Sequence, residues 1–225
     1  MKRILIAALA TFALSGCEQL RVESIPTGEV LACDSDFAGW WRVESDAADG
    51  GDEAVHLHVS DDCAHWRTVE TDAEGRRKQD DLSTQMRFDF RRIGDARYLA
   101  VSDLPDNENG KHDVGEGFAL LRYVVRDDRI GLFEGDPRRE AHRIAEGLVR
   151  GKVESSSHAQ CGTDGNCNVN TTITGDGDAI ADWLKRFDPI DRALFELRRV
   201  DDKTATELDD LLKSPSSDGK PKPHE

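Results

Sequence analysis

The sequence has fewer basic residues than acidic ones. Its 225 residues include 30 Lys and Arg against 45 Asp and Glu, which gives a formal net charge of −15 at pH 7. A chain with this charge is repelled by nucleic acid and by anionic lipid headgroups. The composition therefore predicts that the protein binds no nucleic acid, and it favours a basic protein as a partner.

The sequence also lacks a long apolar run. Residues Ile4 to Leu14 form an apolar segment of 11 residues, whereas a helix that crosses a bilayer needs about 20. Lys2 and Arg3 precede this segment, which is the layout of a secretory signal peptide. We therefore predict that residues 1–16 are a cleaved signal peptide, whose removal takes away two positive charges and changes the net charge from −15 to −17.

The apolar segment ends at Leu14-Ser15-Gly16-Cys17. This tetrapeptide resembles the lipobox of bacterial lipoprotein precursors. The resemblance implies cleavage before Cys17, a thioether-linked diacylglycerol on its sulfur and a fatty acyl chain such as palmitate on its new amino group. In that family, an aspartate directly after the cysteine implies retention at the inner membrane. Glu18 occupies this position here, so the resemblance implies the periplasmic face of the outer membrane. The alternative is an ordinary signal peptide cleaved nearby, with Cys17 left as a plain thiol.

Four of the five cysteines remain when Cys17 is set aside. An even number in an exported chain predicts two disulfides. Three connectivities are open, and the sequence spacing favours Cys33–Cys63 and Cys161–Cys167. Reduced thiols or a metal site are the alternatives, although a zinc site would need two Cys-x-x-Cys pairs, which are not present.

Composition divides the chain into four segments. After the signal peptide, residues 17–31 are polar with Pro26 and Gly28, and we expect Cys17 to be followed there by a tether. Residues 32–213 have the length of one β-rich domain. Residues 214–225 are rich in Pro, Ser and charge, which predicts a disordered tail.

Alternation of apolar and polar residues predicts strands through most of the domain. Val55, Leu57 and Val59 alternate with polar residues, as do Met86 and Phe88. A strand with one apolar face is typical of an antiparallel sheet. Further strands are expected at residues 39–44, 65–71, 97–102, 118–126, 129–134, 148–154, 170–174 and 193–200, with hairpin turns at 61–62, 94–95 and 127–128.

Two segments in the C-terminal half have helical signals. One has Asp136 as N-cap, Pro137 at the first helical position and Gly147 as its end. The other has Asp178 as N-cap, followed by an apolar stripe that includes Trp183. The predicted fold is mainly β: an antiparallel, strongly curved sheet or incomplete barrel with one or two short helices in the C-terminal half.

Gly39-Trp40-Trp41 opens the first predicted strand of the domain. This Gly-x-Trp resembles the lipocalin signature, and Arg198 and Arg199 on a last strand after a helix extend the likeness. The resemblance implies an arginine packed across the tryptophan and a cavity for an apolar small molecule, with Trp40 and Trp41 as candidate ligand-binding residues. A purely structural tryptophan is the alternative.

Two sets of residues are candidates for a metal site. His56 and His58 lie on the same face of one strand and could share a metal ion, but that face is opposite the apolar one, so we expect exposure to solvent. Asp164, Asn166 and Asn168 alternate as ligands do in calcium loops. An Asx-rich turn beside a disulfide explains the same residues, and we expect no metal there.

Catalytic and cofactor motifs are incomplete. Gly147–Gly151-Lys152 has one residue too few for a phosphate loop, and Ser157 and His158 are adjacent without a nucleophile elbow. We therefore expect a protein that is not an enzyme and holds no cofactor.

The whole chain resembles uncharacterised lipoproteins of Gram-negative bacteria, in its "LLRY…DDRIGLFEGDP" hairpin and its later "ADWLKRF" helix. This resemblance implies a location and carries no activity. The leading interpretation is a lipid-anchored protein that binds a basic protein partner, such as an immunity protein or inhibitor of a toxic envelope hydrolase. A lipocalin-like carrier is the alternative, and a hydrolase of cell-wall or glycan substrates is a third reading.

Overall fold

The computed structural model describes residues 18–33, 36–44, 54–63, 66–72, 75, 86–103, 117–155 and 169–213. These residues form twelve strands and three helices. The elements are β1 (Gln19–Val22), β2 (Glu29–Leu31), β3 (Gly39–Glu44), β4 (Ala54–Val59), β5 (Trp66–Thr71), β6 (Met86–Ile93), β7 (Ala96–Asp103), β8 (Phe118–Arg126), β9 (Arg129–Gly135), α1 (Pro137–Ala145), β10 (Gly151–Ser155), β11 (Val169–Ile173), α2 (Gly177–Phe187), β12 (Ile190–Arg199) and α3 (Asp202–Lys213).

Most of the strands follow one antiparallel path in the order β2-β6-β7-β8-β9-β12-β3-β4-β5. The predicted hairpin turns at 61–62, 94–95 and 127–128 are present. A branch of three strands, β1-β11-β10, leaves the path at β8. β1 pairs with residues 118–119 of β8, whereas β9 pairs with residues 122–126 of the same strand. Strands β1 and β11 run parallel to each other. The predicted class, a mainly β fold with an antiparallel curved sheet, is confirmed.

The inner face of the path is packed with side chains. Phe37 lies at the centre of this cluster, where its ring meets Phe90 and Tyr123 edge-on at centroid distances of 5.3 and 4.9 Å. The sheet must curl around the cluster, because strands from both ends of the path contribute to it. Its largest fully buried members are Phe37, Trp41, Leu57, Leu99, Tyr123, Ile130, Leu132 and Leu197.

Side chains join the two ends of the curved path. Among the described strands, β5 pairs only with β4. Cys33, after β2, and Cys63, before β5, form a disulfide with Cα atoms 5.4 Å apart, which confirms the first predicted pair. Trp66 of β5 stacks on Phe88 of β6 with ring centroids 4.0 Å apart. The sheet is therefore open, and the disulfide and the Trp66–Phe88 stack join its two ends in the shape of an incomplete barrel.

The helices cover the outer face of the sheet. Ile180, Trp183 and Leu184 of α2 pack on the branch and on β7 and β8, where they form a second core with residues such as Val22 and Tyr98. α1 packs against β10 and β11. Leu208 of α3 packs on Trp40 and Val69, which are outer-face residues of β3 and β5.

The two predicted helices are present, with one correction at a cap. α1 begins after Asp136, whose carboxylate accepts hydrogen bonds from the backbone N–H groups of Arg138 and Arg139 at 2.9 and 3.2 Å. α2 was expected to begin after Asp178, but its N-cap is Asp176, which accepts from the Ala179 N–H at 2.9 Å. Gly177 occupies the first helical position, so the carboxylate two residues before Asp178 makes the capping bond.

The expected tether at 17–31 is wrong for the described part of that range. Gln19–Val22 is strand β1, and Glu29–Leu31 is strand β2. The two apolar side chains of β1, Leu20 and Val22, face the second core. Composition misled the prediction, because four residues are too few for a clear alternation and the segment between the strands is polar.

The third helix, α3, was not predicted. Its apolar residues are Ala205, Leu208, Leu211 and Leu212, which lie on one side of a helix that is otherwise charged. The fold thus has three helices among its described residues where one or two were expected. The predicted disordered tail at 214–225 lies outside the described residues.

Candidate functional site

The two tryptophans proposed as ligand-binding residues point to opposite sides of β3, and both are buried. Trp41 is 1% exposed in the inner cluster, and its indole N–H donates to the Phe37 carbonyl at 2.8 Å. Trp40 faces outward under α3, where its indole N–H donates to the Asp209 carboxylate at 2.8 Å. The polar atom of each ring is already bonded within the chain. Both residues therefore have an evident structural role.

The arginine contact implied by the Gly-x-Trp resemblance is present. The Arg199 guanidinium lies 4.2 Å from the Trp41 ring centroid and donates to the carbonyls of Ala38 and Asp36 at 3.0 and 2.8 Å. Gly39 permits this approach, because its φ is +111° and a Cβ there would lie 2.9 Å from the Arg199 Nη1 atom. The guanidinium thus fixes the loop before β3 to the last strand.

This contact predicts different effects for neighbouring arginines. Arg199→Ala removes a cation–π contact and two charged hydrogen bonds at a solvent-exposed edge, so we expect a loss of about 1 to 2 kcal/mol in the free energy of unfolding. Arg198 is the matched control, since its contacts with Glu44 and Asp128 are 3.7 Å ion pairs in water. Arg198→Ala should change the free energy by about 0.5 kcal/mol or less. Equal effects in urea unfolding would contradict the assignment.

His56 and His58 share the outer face of β4, as predicted, but the expected exposure of His56 is wrong. Its side chain is 7% exposed, and its buried Nδ1 atom has no hydrogen-bond partner among the described residues. It lies directly opposite Val69, which packs on Leu208 of α3. Burial, and then the like charge of Arg42, lower the His56 pKa. His58 is partly exposed against the Trp40 ring.

The lowered pKa of His56 predicts a pH dependence of stability. The folded state holds this histidine neutral, whereas the unfolded chain takes up a proton below about pH 6.5. Stability is therefore highest above that pH and falls as the pH drops towards the folded-state pKa, by at most about 1.4 kcal/mol per pH unit for one proton. Urea unfolding at pH 7.5 and 5.5 should show a smaller difference for His56→Leu than for wild type. The control His142→Gln, at an exposed residue of α1, should leave that difference unchanged.

His56 and His58 are two of the candidate metal ligands. Within the described ranges, no three His, Cys, Asp or Glu side chains are grouped so that they could hold a metal ion. The other candidate ligands, Asp164, Asn166 and Asn168, lie outside the described residues, as do Cys17 and the predicted pair Cys161–Cys167.

An open groove of about 480 Å³ lies between the β6–β7 hairpin, β8 and the end of α2. Arg122 on its wall pairs with Asp188 at 3.0 Å, and Lys185 and Arg97 add further positive charge. Tyr98 forms part of the wall, and burial, followed by the Asp188 carboxylate, raises its pKa. Apolar residues such as Ile93, Val125 and Leu184 line the rest of the groove, so its surface is mixed in character. Sequence reasoning missed it because its residues come from three distant segments.

A buried carboxylate joins α1 to α2. The Glu140 side chain is 0% exposed and accepts hydrogen bonds from the Trp183 indole N–H at 3.0 Å and from Arg143 at 2.6 Å. Arg143 also lies over the Phe187 ring, 4.6 Å from its centroid. This Glu140 cluster is closed to solvent at the carboxylate, and its hydrogen bonds hold the two helices together.

The outer side of α3 is acidic and exposed. Asp202, Glu207 and Asp210 lie there, while Asp209 is turned inward to Trp40. Only Lys203 and Lys213 oppose them on the helix, and both form pairs of 3.7 and 3.4 Å with acids of α3 itself. We call this surface, made of Asp202, Glu207 and Asp210, the acidic face. Sequence reasoning had predicted an acidic domain but could not place its charge, because α3 itself was missed.

Comparison with known proteins informs the N-terminus alone. Residues 1–17 match the family described as "Prokaryotic membrane lipoprotein lipid attachment site". No curated protein and no solved structure matches the chain. Among the helices that the structure describes, none has the length and apolar character needed to cross a membrane. The attachment site therefore supports a membrane-anchored lipoprotein of the cell envelope.

Proposed function

We propose that this lipoprotein is a non-catalytic module that binds a basic protein partner through the acidic face of α3. The observation that carries the proposal is the position of α3. Its apolar side is buried on Trp40 and Val69, and its acidic side is presented to solvent on a rigid sheet. Two of the three acids of the acidic face are paired with lysines of the same helix, so the face has a small excess of negative charge. Such an excess favours encounter with a partner of opposite charge over one of the same charge.

The charge of the whole molecule acts in the same direction. The formal net charge of −15 produces a long-range field that attracts basic proteins, and salt screens this field. A specific form of the proposal is an immunity protein or inhibitor that meets a toxic, basic hydrolase in the envelope. Such a protein needs a surface complementary to its target and no catalytic group of its own.

The partner surface is tested by crosslinking in intact cells, followed by capture of the full lipoprotein. The test variant is Glu207→Gln with Asp210→Asn. The matched control is Asp178→Asn with Asp182→Asn, which removes two exposed acids from α2. We expect one dominant basic partner that is retained by the control and reduced several-fold by the test variant. Equal capture by both variants would contradict the role of the acidic face.

The attachment to the membrane is proposed to be through Cys17, at the periplasmic face of the outer membrane. Several acyl chains, each contributing about 0.8 kcal/mol per buried methylene, hold a protein on a bilayer permanently, whereas one chain does not. Cys17→Ala should therefore abolish fatty-acid labelling and move the protein from the membrane fraction to the soluble fraction. Labelling that survives this substitution would place the lipid elsewhere.

A carrier of an apolar small molecule is the second candidate, and the contact of Arg199 with Trp41 is the observation that favours it. A carrier needs a cavity inside the curved sheet, but Phe37, Trp41 and Tyr123 occupy the inner cluster. Solvent extraction of the purified protein, with mass spectrometry of the extract, separates the two functions. A stoichiometric lipid in the extract would favour the carrier over the protein-binding module.

A further inference from the structure

The first strand of the sheet begins immediately after the attachment site. The match to the lipid attachment family ends at Cys17, and β1 begins at Gln19. A chain spans at most about 3.6 Å per residue, so covalent geometry alone keeps the Cys17 Cα within about 7 Å of the Gln19 Cα. A fully acylated cysteine therefore has no length of chain with which to hold the domain away from the bilayer.

Strand β1 is fixed inside the fold. It lies between β11 and β8, and all four of its residues are in register with β11 from Gln19–Asn170 to Val22–Ile173. Val22 is 0% exposed. Pulling β1 out to serve as a tether would remove Val22 from the second core and break two strand pairings, and both changes cost free energy.

The start of β1 is also held by polar contacts. The Gln19 backbone N–H donates to the Asn170 side-chain oxygen at 3.1 Å. The Glu18 carboxylate forms an ion pair with the guanidinium of Arg138, in the first turn of α1. The residue that follows the attachment site is thus bonded to a helix of the domain.

We propose that the domain contacts the bilayer directly, through an anchor end made of Glu18, Arg138, Asn170 and Glu154. Asn170 pairs with Gln19 on one side and with Glu154 of β10 on the other. Glu154 is therefore two strand spacings, or about 10 Å, from the start of β1. The partner is the phospholipid headgroup layer. The consequence is a fixed orientation, in which the far end of the β1–β11 pair, near Asp178, points away from the membrane.

This inference rests on the proposed lipidation of Cys17, and its test uses the full acylated protein in vesicles of phosphatidylethanolamine and phosphatidylcholine. Either Glu154 or Asp178, both of which are exposed, is replaced by an amino acid with a keto side chain. A nitroxide label is then attached to the keto group. Asp178 is the matched distal site, because the preceding Gly177 bonds to Thr27, beyond the far end of β1. A nickel-chelating lipid then reports the proximity of each nitroxide to the headgroups.

We expect the lipid-bound nickel to relax the label at Glu154 several-fold more strongly than the label at Asp178. A variant with ten Gly and Ser residues inserted between Cys17 and Glu18 supplies a tether of about 17 Å, and it should abolish the difference. Equal, weak relaxation at both sites in the acylated wild type would overturn direct contact. Mass spectrometry of the N-terminal peptide separates the two failures: an unmodified Cys17 refutes the anchor, whereas an acylated Cys17 with equal labels refutes only the orientation.

Discussion

Glu140→Ala is expected to lower the free energy of unfolding by about 2 to 4 kcal/mol, because it removes a fully buried carboxylate that pairs with a partly buried arginine and accepts from a buried indole. The Trp183 indole N–H and the Arg143 guanidinium would lose their acceptor at the interface of α1 and α2. A loss of this size corresponds to a fall of about 10 °C in Tm for a domain of this length. Differential scanning calorimetry measures the change directly.

Glu146→Ala is the control for this prediction. Glu146 ends α1 through its backbone, and it is exposed. Its substitution should change the free energy of unfolding by no more than about 0.5 kcal/mol. If the Glu140 and Glu146 variants melted together, Glu140 would not join the two helices as described.

The double substitution Cys33→Ser with Cys63→Ser should cost about 3 to 4 kcal/mol in the chain-entropy account of a 30-residue loop. The physical reason is specific to this fold, since the bond joins the β2 end of the curved path to its β5 end. Without it, the Trp66–Phe88 stack is left to hold the two ends together. Urea unfolding of the oxidised wild type and of the double variant gives the difference.

Cys161→Ser with Cys167→Ser is the comparison for the disulfide, because the same account gives only about 2 kcal/mol for a loop of six residues. Peptide mapping of the oxidised protein tests whether these two cysteines pair, which stays a prediction. An unchanged stability in the Cys33 and Cys63 double variant would show that the sheet does not depend on this covalent closure.

The long strands and the first helix could be predicted because each carries its own local signal. Strand β8 has the predicted bounds, 118–126, since a run of mostly apolar residues that ends at the Asp127-Asp128 turn predicts a buried strand. Asp136 and Pro137 mark the start of α1 by a capping bond and a fixed φ. The signal in these elements lies within a few neighbouring residues, so a sequence reveals it.

The errors arose where a neighbour in space determines the structure. β1 is short and becomes a strand by pairing with β11 and β8, which are far from it in sequence. His56 is buried because its face of β4 lies under α3. Most residues of that helix are charged or polar, so its sequence does not reveal that it covers the sheet. The groove beside Arg122 needs three segments brought together by the fold, and the Glu140 cluster needs two helices whose bonded side chains are 43 residues apart in sequence. Local patterns carry no information on such contacts.

The state of Cys17 in the mature protein tests the central claim most directly. Intact mass and N-terminal peptide mass spectrometry should be measured on protein extracted from its native membrane with detergent. The account predicts that residues 1–16 are absent and that the first residue is Cys17, carrying a diacylglycerol on sulfur and an acyl chain on its amino group. A mature chain that begins at another residue, or a Cys17 with an unmodified thiol, would contradict it.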